Sequence, residues 1–213
     1  METQNKETYW SRFVNDFEEK QSHVVGQEIL LLAHQELLKE VNLGNALELG
    51  CGTGLYTETL QKNSKNVVAT DFSKEMIVFA QQERGNLENV KFQQADALNL
   101  EFDAESFDTV FMANLIHVIG DADKLIKQSK RVLKKGGKLI VNSFAINDMS
   151  FLNRITMAFR YIKTFGKPSV EATKEKTTQK SVETLLTSNG FEISKSLLLG
   201  RKYKSFYITG IKK

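Results

Sequence analysis

The stretch Ala46-Leu-Glu-Leu-Gly-Cys-Gly-Thr-Gly-Leu-Tyr-Thr-Glu-Thr-Leu60 decides the fold of this chain. Its first four residues form a short apolar run, which predicts a buried strand. Glycines then alternate at Gly50, Gly52 and Gly54, where the backbone must turn tightly and approach a ligand closely. Residues 55–61 show helical spacing. Strand, glycine turn and helix together form the opening unit of a doubly wound α/β sheet.

The spacing of these glycines distinguishes two kinds of cofactor site. A dinucleotide-binding loop needs G-x-G-x-x-G, whose third glycine would fall at Leu55. The chain has G-x-G-x-G instead, and Glu48 comes just before the first glycine. This pattern resembles motif I of the class I methyltransferases that use S-adenosylmethionine (SAM). The resemblance implies that the loop lies under the amino-acid and ribose part of SAM. A glycine-rich turn of an unrelated protein is the alternative.

Size and composition indicate an ordinary globular domain. The 213 residues suffice for one well-packed domain, and a formal net charge of +3 is too small to indicate a nucleic-acid partner. The single cysteine, Cys51, excludes an intramolecular disulfide and cysteine-rich metal sites. Residues 1–7 are polar, and no stretch approaches the ~20 apolar residues of a membrane span. We therefore predict a cytoplasmic protein that binds no metal.

The patterns along the chain predict a Rossmann-like α/β fold. A doubly wound sheet of seven strands, mostly parallel, ends in an antiparallel hairpin over 191–198 and 203–211. Two N-terminal helices over 5–20 and 25–41 precede the sheet, and a glycine pair within 134–138 is expected to end a helix. We predict one domain, divided into an N-terminal helical lid (1–42), a SAM-binding core (43–143), a substrate-cap insertion (144–178) and a final helix with hairpin (179–213).

Acidic residues follow two further predicted strands, at the sheet edge where such folds bind ligands. Asp71 lies about twenty residues past the first glycine, where a carboxylate can accept hydrogen bonds from both ribose hydroxyls. Its alternative role is to cap the next helix, for which Ser73 is the stronger candidate. The resemblance implies that Asp96 receives the adenine amino group, and that the N–H of Ala97 meets a ring nitrogen. It also implies that the side chains bordering the adenine are Phe72 and Met76.

The fourth strand is predicted over Phe107 to Ala113 and is followed by Asn114-Leu-Ile-His117, where the resemblance implies that the methyl group meets its acceptor. Amino-methylating nucleic-acid enzymes of the family usually carry Asp/Asn-Pro-Pro-aromatic at this point, which this chain lacks. His117 is a candidate general base because imidazole can take a proton from a hydroxyl or thiol near neutral pH. The alternative is that His117 caps or packs the turn between strand and helix.

Aromatic residues mark the two segments that flank the core. In small-molecule methyltransferases of the family, an N-terminal helix folds over SAM, and Tyr9-Trp10 and Phe17-Glu18 resemble its pocket-closing positions. Within 144–178, an apolar, aromatic segment carries Arg154 and Arg160 among its cations. This segment is predicted to enclose a mostly apolar acceptor and to favour an acidic group on it. Simple packing of both segments onto the domain is the alternative.

Residues 131–141, Arg-Val-Leu-Lys-Lys-Gly-Gly-Lys-Leu-Ile-Val, resemble the post-helix motif of the same family, so that the resemblance runs from Tyr9 to Ser143. It is closest to the ubiquinone and menaquinone biosynthesis type. We predict a SAM-dependent methyltransferase that moves a methyl group to an O, N, S or C atom of a small molecule by in-line displacement, as a monomer or homodimer. A non-catalytic SAM-binding module and a nucleotide-binding oxidoreductase are the rival functions. The predicted SAM-binding residues are Tyr9, Trp10, Glu48, Gly50, Cys51, Gly52, Gly54, Asp71, Phe72, Met76, Asp96, Ala97 and Asn114.

Overall fold

The computed structural model of the chain describes residues 9–167 and 177–213. Its strands form one sheet in the order β3-β2-β1-β4-β5-β7-β6. Their bounds are β1 Asn45–Leu49, β2 Asn66–Asp71, β3 Val90–Gln94, β4 Phe107–Ala113, β5 Leu133–Phe144, β6 Phe191–Leu199 and β7 Ser205–Lys212. Strands β1 to β5 pair in parallel, whereas β7 is antiparallel to both of its neighbours. The predicted fold class is therefore confirmed.

Helices cover both faces of the sheet, and two of them lie beyond its carboxyl edge. Their bounds are α1 Phe17–Val25, α2 Gln27–Leu38, α3 Thr57–Leu60, α4 Lys74–Arg84, α5 Ala122–Val132, α6 Phe151–Phe165 and α7 Gln179–Ser188. Helix α4 begins where the hydroxyl of Ser73 accepts a hydrogen bond from the N–H of Met76, as predicted for this cap. Helix α5 begins in the same way at Asp121, whose carboxylate accepts from the N–H of Lys124.

Alternation along the strands places their side chains in two cores. In β4, Val110 and Met112 join the core beneath α5 and α7, whereas Phe111 points to the core beneath α2, α3 and α4. In β7, Phe206 and Tyr207 divide in the same way. This period-two division is what a sheet covered on both faces requires. Because β1, β2, β3 and β4 pair in parallel, their carboxyl ends lie at one common edge.

A third core joins the N-terminal segment to α6. Val24, Val25, Met157 and Phe165 are buried in it, and Tyr203 closes it from the loop before β7. Six aromatic rings in or beside it pack mostly edge to face and are here called the lid cluster: Tyr9, Trp10, Phe13, Phe17, Tyr161 and Phe165. Edge-to-face pairs add stabilisation beyond the apolar area that they bury. The predicted lid and cap segments thus pack against each other.

The N-terminal helices differ from the prediction. Instead of one helix over 5–20, residues 9–11 are helical, a turn and the 3-10 segment Val14–Asp16 follow, and α1 begins only at Phe17. Residues 5–8 lie outside the described residues. The helix predicted over 25–41 is interrupted at Gly26, whose φ of 81° no helix accommodates. It ends at Leu38, three residues before the predicted end, and Val41 beyond it is exposed.

The turn predicted at residues 134–138 is also different. Helix α5 ends at Val132, and Leu133 is already extended, so Gly136 and Gly137 lie inside β5 and do not end the helix. Gly136 has a φ of 72° within an irregular register between β4 and β5. Lys134, between the end of α5 and these glycines, pairs with Asp108 at 2.7 Å. Part of the predicted cap segment, residues 168–176, lies outside the described residues.

Candidate cofactor and acceptor site

The glycine loop after β1 takes a backbone path that glycine alone follows easily. Gly50, Gly52 and Gly54 have φ values of 69°, 54° and 90°, all in the left-handed region. A Cβ at Gly54 would lie 2.9 Å from Cδ of Arg84. The N–H of Cys51 donates to the carbonyl of Thr70 at 2.8 Å, which fixes the loop to the end of β2. The buried Cys51 thiol has a raised pKa, because burial disfavours the thiolate.

Asp71 ends β2 directly beside this loop. Its Oδ2 accepts a hydrogen bond from the N–H of Gly52 at 2.9 Å, and its Oδ1 accepts from the N–H of Ser73 at 2.9 Å. Burial raises the pKa of Asp71, and these backbone donors oppose the rise. A carboxylate accepts about four hydrogen bonds, so Asp71 retains capacity to accept from a ligand hydroxyl. The predicted helix-capping role thus belongs to Ser73, while Asp71 holds the loop.

Glu48 lies in β1 beneath the loop and is almost completely buried. Its Oε2 accepts a hydrogen bond from the hydroxyl of Thr57, the first residue of α3. Burial raises the pKa of Glu48 to about 7, although the Thr57 hydrogen bond opposes this shift. A buried carboxylate with this pKa carries part of a negative charge at neutral pH. A cation placed above the loop would favour its ionised form.

The residues predicted to surround the adenine lie at the ends of β2 and β3. Asp96 is exposed, and its Oδ1 accepts from the N–H of Leu98 at 2.9 Å in a local turn. Ala97 is buried in the core beneath α5 and α7, and Met76, a residue of α4, is also buried. The carbonyl of Phe72 accepts from the Gln94 side chain at 2.8 Å, which joins the ends of β2 and β3. These placements leave the predicted adenine contacts of the four residues untested.

Asn114, just beyond β4, has two unusual features. Its φ of 56° is left-handed, a conformation that costs energy for a residue with a Cβ. Its side-chain Oδ1 is buried without a hydrogen-bond partner, although its N–H donates to the carbonyl of Asn142 at 2.8 Å. An unpaired buried amide oxygen is costly unless a ligand or water supplies the missing donor. Both features fall on a residue that was predicted to contact the cofactor.

His117 follows Asn114 on the acceptor side of the same edge. Its Nδ1 lies 2.8 Å from the hydroxyl of Ser143 in β5, and its ring packs near that of Phe144. Burial lowers the pKa of His117 to about 4, so the imidazole is neutral at pH 7. A neutral ring has a lone pair for an acceptor proton, but its low pKa makes it a weak base. The structure therefore supports the packing role directly, and the role as general base stays a prediction.

The lid cluster covers the glycine loop. A Cβ at Gly52 would lie 3.9 Å from Cε1 of Phe17, so this ring is the group nearest to the middle glycine of the loop. The Tyr9 hydroxyl donates to the carbonyl of Phe165 at 3.1 Å and lies 3.3 Å from the hydroxyl of Tyr161. Trp10 meets Phe17 and Phe165 edge to face. Tyr9 and Trp10 thus brace the lid against α6.

Arg84 is a residue of this site that the sequence did not reveal. Its guanidinium is buried and donates to the carbonyl of Thr53 at 2.9 Å. It also pairs with Glu18 of α1 at 3.0 Å and with Glu58 of α3 at 2.7 Å. Glu18 in turn accepts from the hydroxyl of Thr53 at 2.7 Å. Arg84 therefore connects α1 to the middle of the glycine loop.

Other features of the described residues lie away from this edge. Of two open surface depressions, one is bordered mainly by cations, including Lys127, which pairs with Asp123, and Lys130, which donates to the carbonyl of Asn189. The other lies at residues 41–44 and 62–65. Within residues 9–167 and 177–213, no group of three or more His, Cys, Asp or Glu side chains is arranged to hold a metal. None of the helices in these ranges combines the length and hydrophobicity that crossing a bilayer requires.

Comparison with known proteins agrees with the resemblance to SAM-dependent methyltransferases that the sequence predicted. Residues 47–141 match the family described as "Methyltransferase domain". The chain is similar to the crystal structure of a SAM-dependent methyltransferase from Thermotoga maritima, with a TM-score of 0.72 and 23% identity over 97% of this chain and 99% of that one. The predicted resemblance to class I SAM-dependent methyltransferases is confirmed.

Two relatives show which members of the class this chain is similar to. A phosphatidylethanolamine N-methyltransferase of Cereibacter sphaeroides is 41% identical over 106 residues, which are 48% of this chain and 52% of the relative. A demethylmenaquinone methyltransferase of Staphylococcus epidermidis is 30% identical over 135 residues, 61% of this chain and 56% of the relative. The match spans about half the length of these curated relatives.

Proposed function

We propose that this chain is a SAM-dependent methyltransferase that acts on a small-molecule acceptor. One observation carries the proposal: the three left-handed glycines of the loop after β1 are tied through the N–H of Gly52 to the carboxylate of Asp71. This arrangement combines open backbone with a fixed carboxylate at the carboxyl edge of a parallel sheet. Ligands bind at that edge in doubly wound folds.

The polar groups at this edge suit SAM in particular, because they are mainly hydrogen-bond acceptors. The carboxylates of Glu48 and Asp71 and the unpaired Oδ1 of Asn114 need donors or positive charge. SAM offers ribose hydroxyls, amino groups and a positively charged sulfonium. A dinucleotide pyrophosphate offers negative charge instead, which two carboxylates would repel. The donor set therefore fits SAM better than the cofactor of the oxidoreductase alternative.

Each side chain then has a defined task. Asp71 would hold the ribose hydroxyls, Asp96 and the N–H of Ala97 would address the adenine, and Phe72 and Met76 would border it. Glu48 would favour the methionyl ammonium, directly or through water, and Tyr9 and Trp10 would hold the lid closed. Bound SAM supplies an activated methyl group on its sulfonium. The protein contributes alignment of the acceptor with the methyl–sulfur axis and exclusion of water.

The acceptor side of the site lies between the end of β4 and the lid cluster. Asn114 and His117, which follow β4, would border it from the sheet, and the apolar rings of the lid cluster would border it from above. Such a lining suits a mostly apolar acceptor. The relatives named for phosphatidylethanolamine and demethylmenaquinone take acceptors of this kind, so we propose a lipid-soluble molecule as substrate. For the predicted preference for an acidic group on the acceptor, Arg160 would have to bind that group. Its guanidinium donates to the carbonyl of His23 at 3.3 Å.

A transfer assay tests this function. The purified chain would be incubated with methyl-labelled SAM and separate panels of quinols, phenols, thiols and amino lipids, and products identified by a mass gain of one methyl group. We expect transfer to at least one lipid-soluble panel, and a loss of that activity in Asp71→Asn. Asp103→Asn is the matched control, because exposed Asp103 precedes β4 at the opposite edge of the sheet. SAM binding without transfer to any panel would favour a non-catalytic SAM-binding module.

The cellular setting is part of the proposal. The single, buried Cys51 suits a reducing compartment, which supports a cytoplasmic location. A monomer or a homodimer is compatible with a site built from one chain, and sedimentation of the purified protein would distinguish them.

A further inference from the structure

The outer face of α6 carries an unusual concentration of exposed apolar side chains. They are Phe151 (72% exposed), Leu152 (73%), Ile155 (50%), Phe159 (69%) and Ile162 (51%). Their spacing places them along one side of the helix, about 100° wide, over its whole length. Single exposed apolar residues are normal, but a contiguous patch of this kind usually marks an interaction surface.

This stripe is not needed to hold α6 in place. The opposite side of the helix packs into the third core through Met157 and Phe165, both nearly buried, and through Tyr161 of the lid cluster. At its first turn, the Asn153 side chain donates to the carbonyl of Lys202 at 2.8 Å. The helix is therefore anchored from one side and presents the apolar stripe on the other.

Cations surround the stripe. Arg154 and Lys163 are exposed and lie on either side of it, and α6 contains three basic residues and no acidic one. Arg201 and Lys202 are exposed in the loop that Asn153 contacts. Asp148, which precedes the helix, is engaged by the N–H of Gln179 at 3.0 Å. By contrast, the whole chain is nearly balanced, with 29 basic and 26 acidic residues.

We propose that this face of α6 docks on the surface of an anionic phospholipid bilayer. A helix with an apolar stripe between basic residues lies in the plane of the interface, with its rings among the acyl chains and its cations at the lipid phosphates. At 15 residues, α6 is about 22 Å long, too short to span the ~30 Å hydrocarbon core. Two copies meeting face to face would bring like charges together, so a second copy of this chain is the poorer occupant.

The docking has a consequence for the site, which rests on the proposed function. Because the inner side of α6 belongs to the core that covers the glycine loop, a bilayer on its outer side lies next to the acceptor half of the pocket. A lipid-soluble acceptor would then have a short path from the membrane to the lid cluster. The vesicle experiment below contains neither SAM nor acceptor, so its outcome is independent of methyl transfer.

Co-sedimentation with vesicles tests the docking. We expect the wild-type chain to bind vesicles of phosphatidylglycerol and phosphatidylcholine, and to bind vesicles of phosphatidylcholine alone much more weakly. The pair Phe151→Ser with Phe159→Ser should weaken partitioning at least about tenfold, because two interfacial rings are lost. The matched control, Leu31→Ser with Val41→Ser, removes two exposed apolar residues elsewhere and should bind like wild type.

A second pair tests the cations. Arg154→Gln with Lys163→Gln should weaken binding about tenfold or more at low salt, since each cation near an anionic surface contributes roughly fivefold. Lys39→Gln with Lys180→Gln is the control, at exposed positions just after α2 and in α7. Equal binding of wild type to both kinds of vesicle, or equal losses in test and control pairs, would overturn the proposal. The proposal would also be overturned if the wild-type chain does not bind vesicles but forms a dimer, and if the variant with Phe151→Ser and Phe159→Ser no longer forms that dimer.

Discussion

Replacing Arg84 by methionine probes the connection between the lid and the glycine loop. Methionine preserves most of the buried apolar stem but removes the guanidinium that contacts Thr53, Glu18 and Glu58. Loss of a charged hydrogen bond to the buried carbonyl costs about 1.5–3 kcal/mol. The two ion pairs involve carboxylates that are 37% and 49% exposed, so solvent screening limits each to about 0.5 kcal/mol. We expect the free energy of unfolding to fall by about 3 kcal/mol.

Urea denaturation measures this loss, and amide hydrogen exchange locates it. Arg84→Lys retains the charge without the fork and should fall between wild type and Arg84→Met. Lys180→Met, at a highly exposed position, is the control and should change stability little. Exchange should accelerate over α1, because Glu18 loses one of its two attachments. A loss below about 1 kcal/mol, with unchanged exchange over α1, would refute the role assigned to Arg84.

Three further predictions concern the loop and the two buried titratable groups. Gly52→Ala and Gly136→Ala place a Cβ at φ values of 54° and 72°, so each should lose about 1–2 kcal/mol of stability in urea, but only Gly52→Ala should weaken SAM binding in calorimetry. The raised pKa of Glu48, about 7 against 4.5, makes the folded state bind the extra proton, so its contribution to stability is complete below pH 4.5 and is lost as pH rises to about 7. The free energy of unfolding of Glu48→Gln in urea should therefore rise by up to about 3 kcal/mol relative to that of wild type between pH 5 and pH 8. An equal pH dependence in both proteins would contradict this. The lowered pKa of His117, about 4 against 6.5, acts in the opposite direction, since the unfolded state then binds the extra proton. Its contribution is complete above pH 6.5 and is lost as pH falls toward 4, so His117→Gln should flatten the stability profile over that window, and a profile as steep as that of wild type would count against the buried neutral ring.

The central sheet was predictable because its signals are local and repeated. The fourth strand was predicted over Phe107 to Ala113, the bounds that the structure gives, since alternate residues there enter two different cores. The glycine spacing was equally informative, because left-handed φ values at Gly50, Gly52 and Gly54 restrict the residue type directly. Where chemistry dictates residue identity position by position, the sequence is sufficient.

The N-terminal segment shows where such reasoning fails. Tyr9, Phe13 and Phe17 recur every four residues, which imitates one face of a helix. In the structure this segment forms a turn, a 3-10 segment and the start of α1 instead of one helix, and the rings of Phe13 and Phe17 pack against Phe165. Tertiary contacts with a distant segment thus override the local period. The prediction also fails at Gly136, whose positive φ lies within a strand and not at the end of a helix.

Long-range side-chain partners leave no local pattern. Arg84 ends α4 and resembles any basic residue at a helix terminus, and only the fold brings Glu18, Thr53 and Glu58 around it. The unpaired oxygen of Asn114 is equally invisible in the sequence. The predicted contacts of individual residues with SAM also depend on such geometry, and they stay predictions until a ligand is bound.

Isothermal titration calorimetry with SAM and with its demethylated product, S-adenosylhomocysteine, tests the central claim most directly. The account predicts that wild type and Asp103→Asn bind both compounds alike, whereas Asp71→Asn binds at least about tenfold more weakly, because a charged acceptor of two ribose hydroxyls is lost. Circular dichroism of each variant checks that the fold is retained. A folded wild-type chain that binds neither compound, or an Asp71→Asn variant with unchanged affinity, would contradict the account. Saturable binding of NADH in place of SAM would support the oxidoreductase alternative.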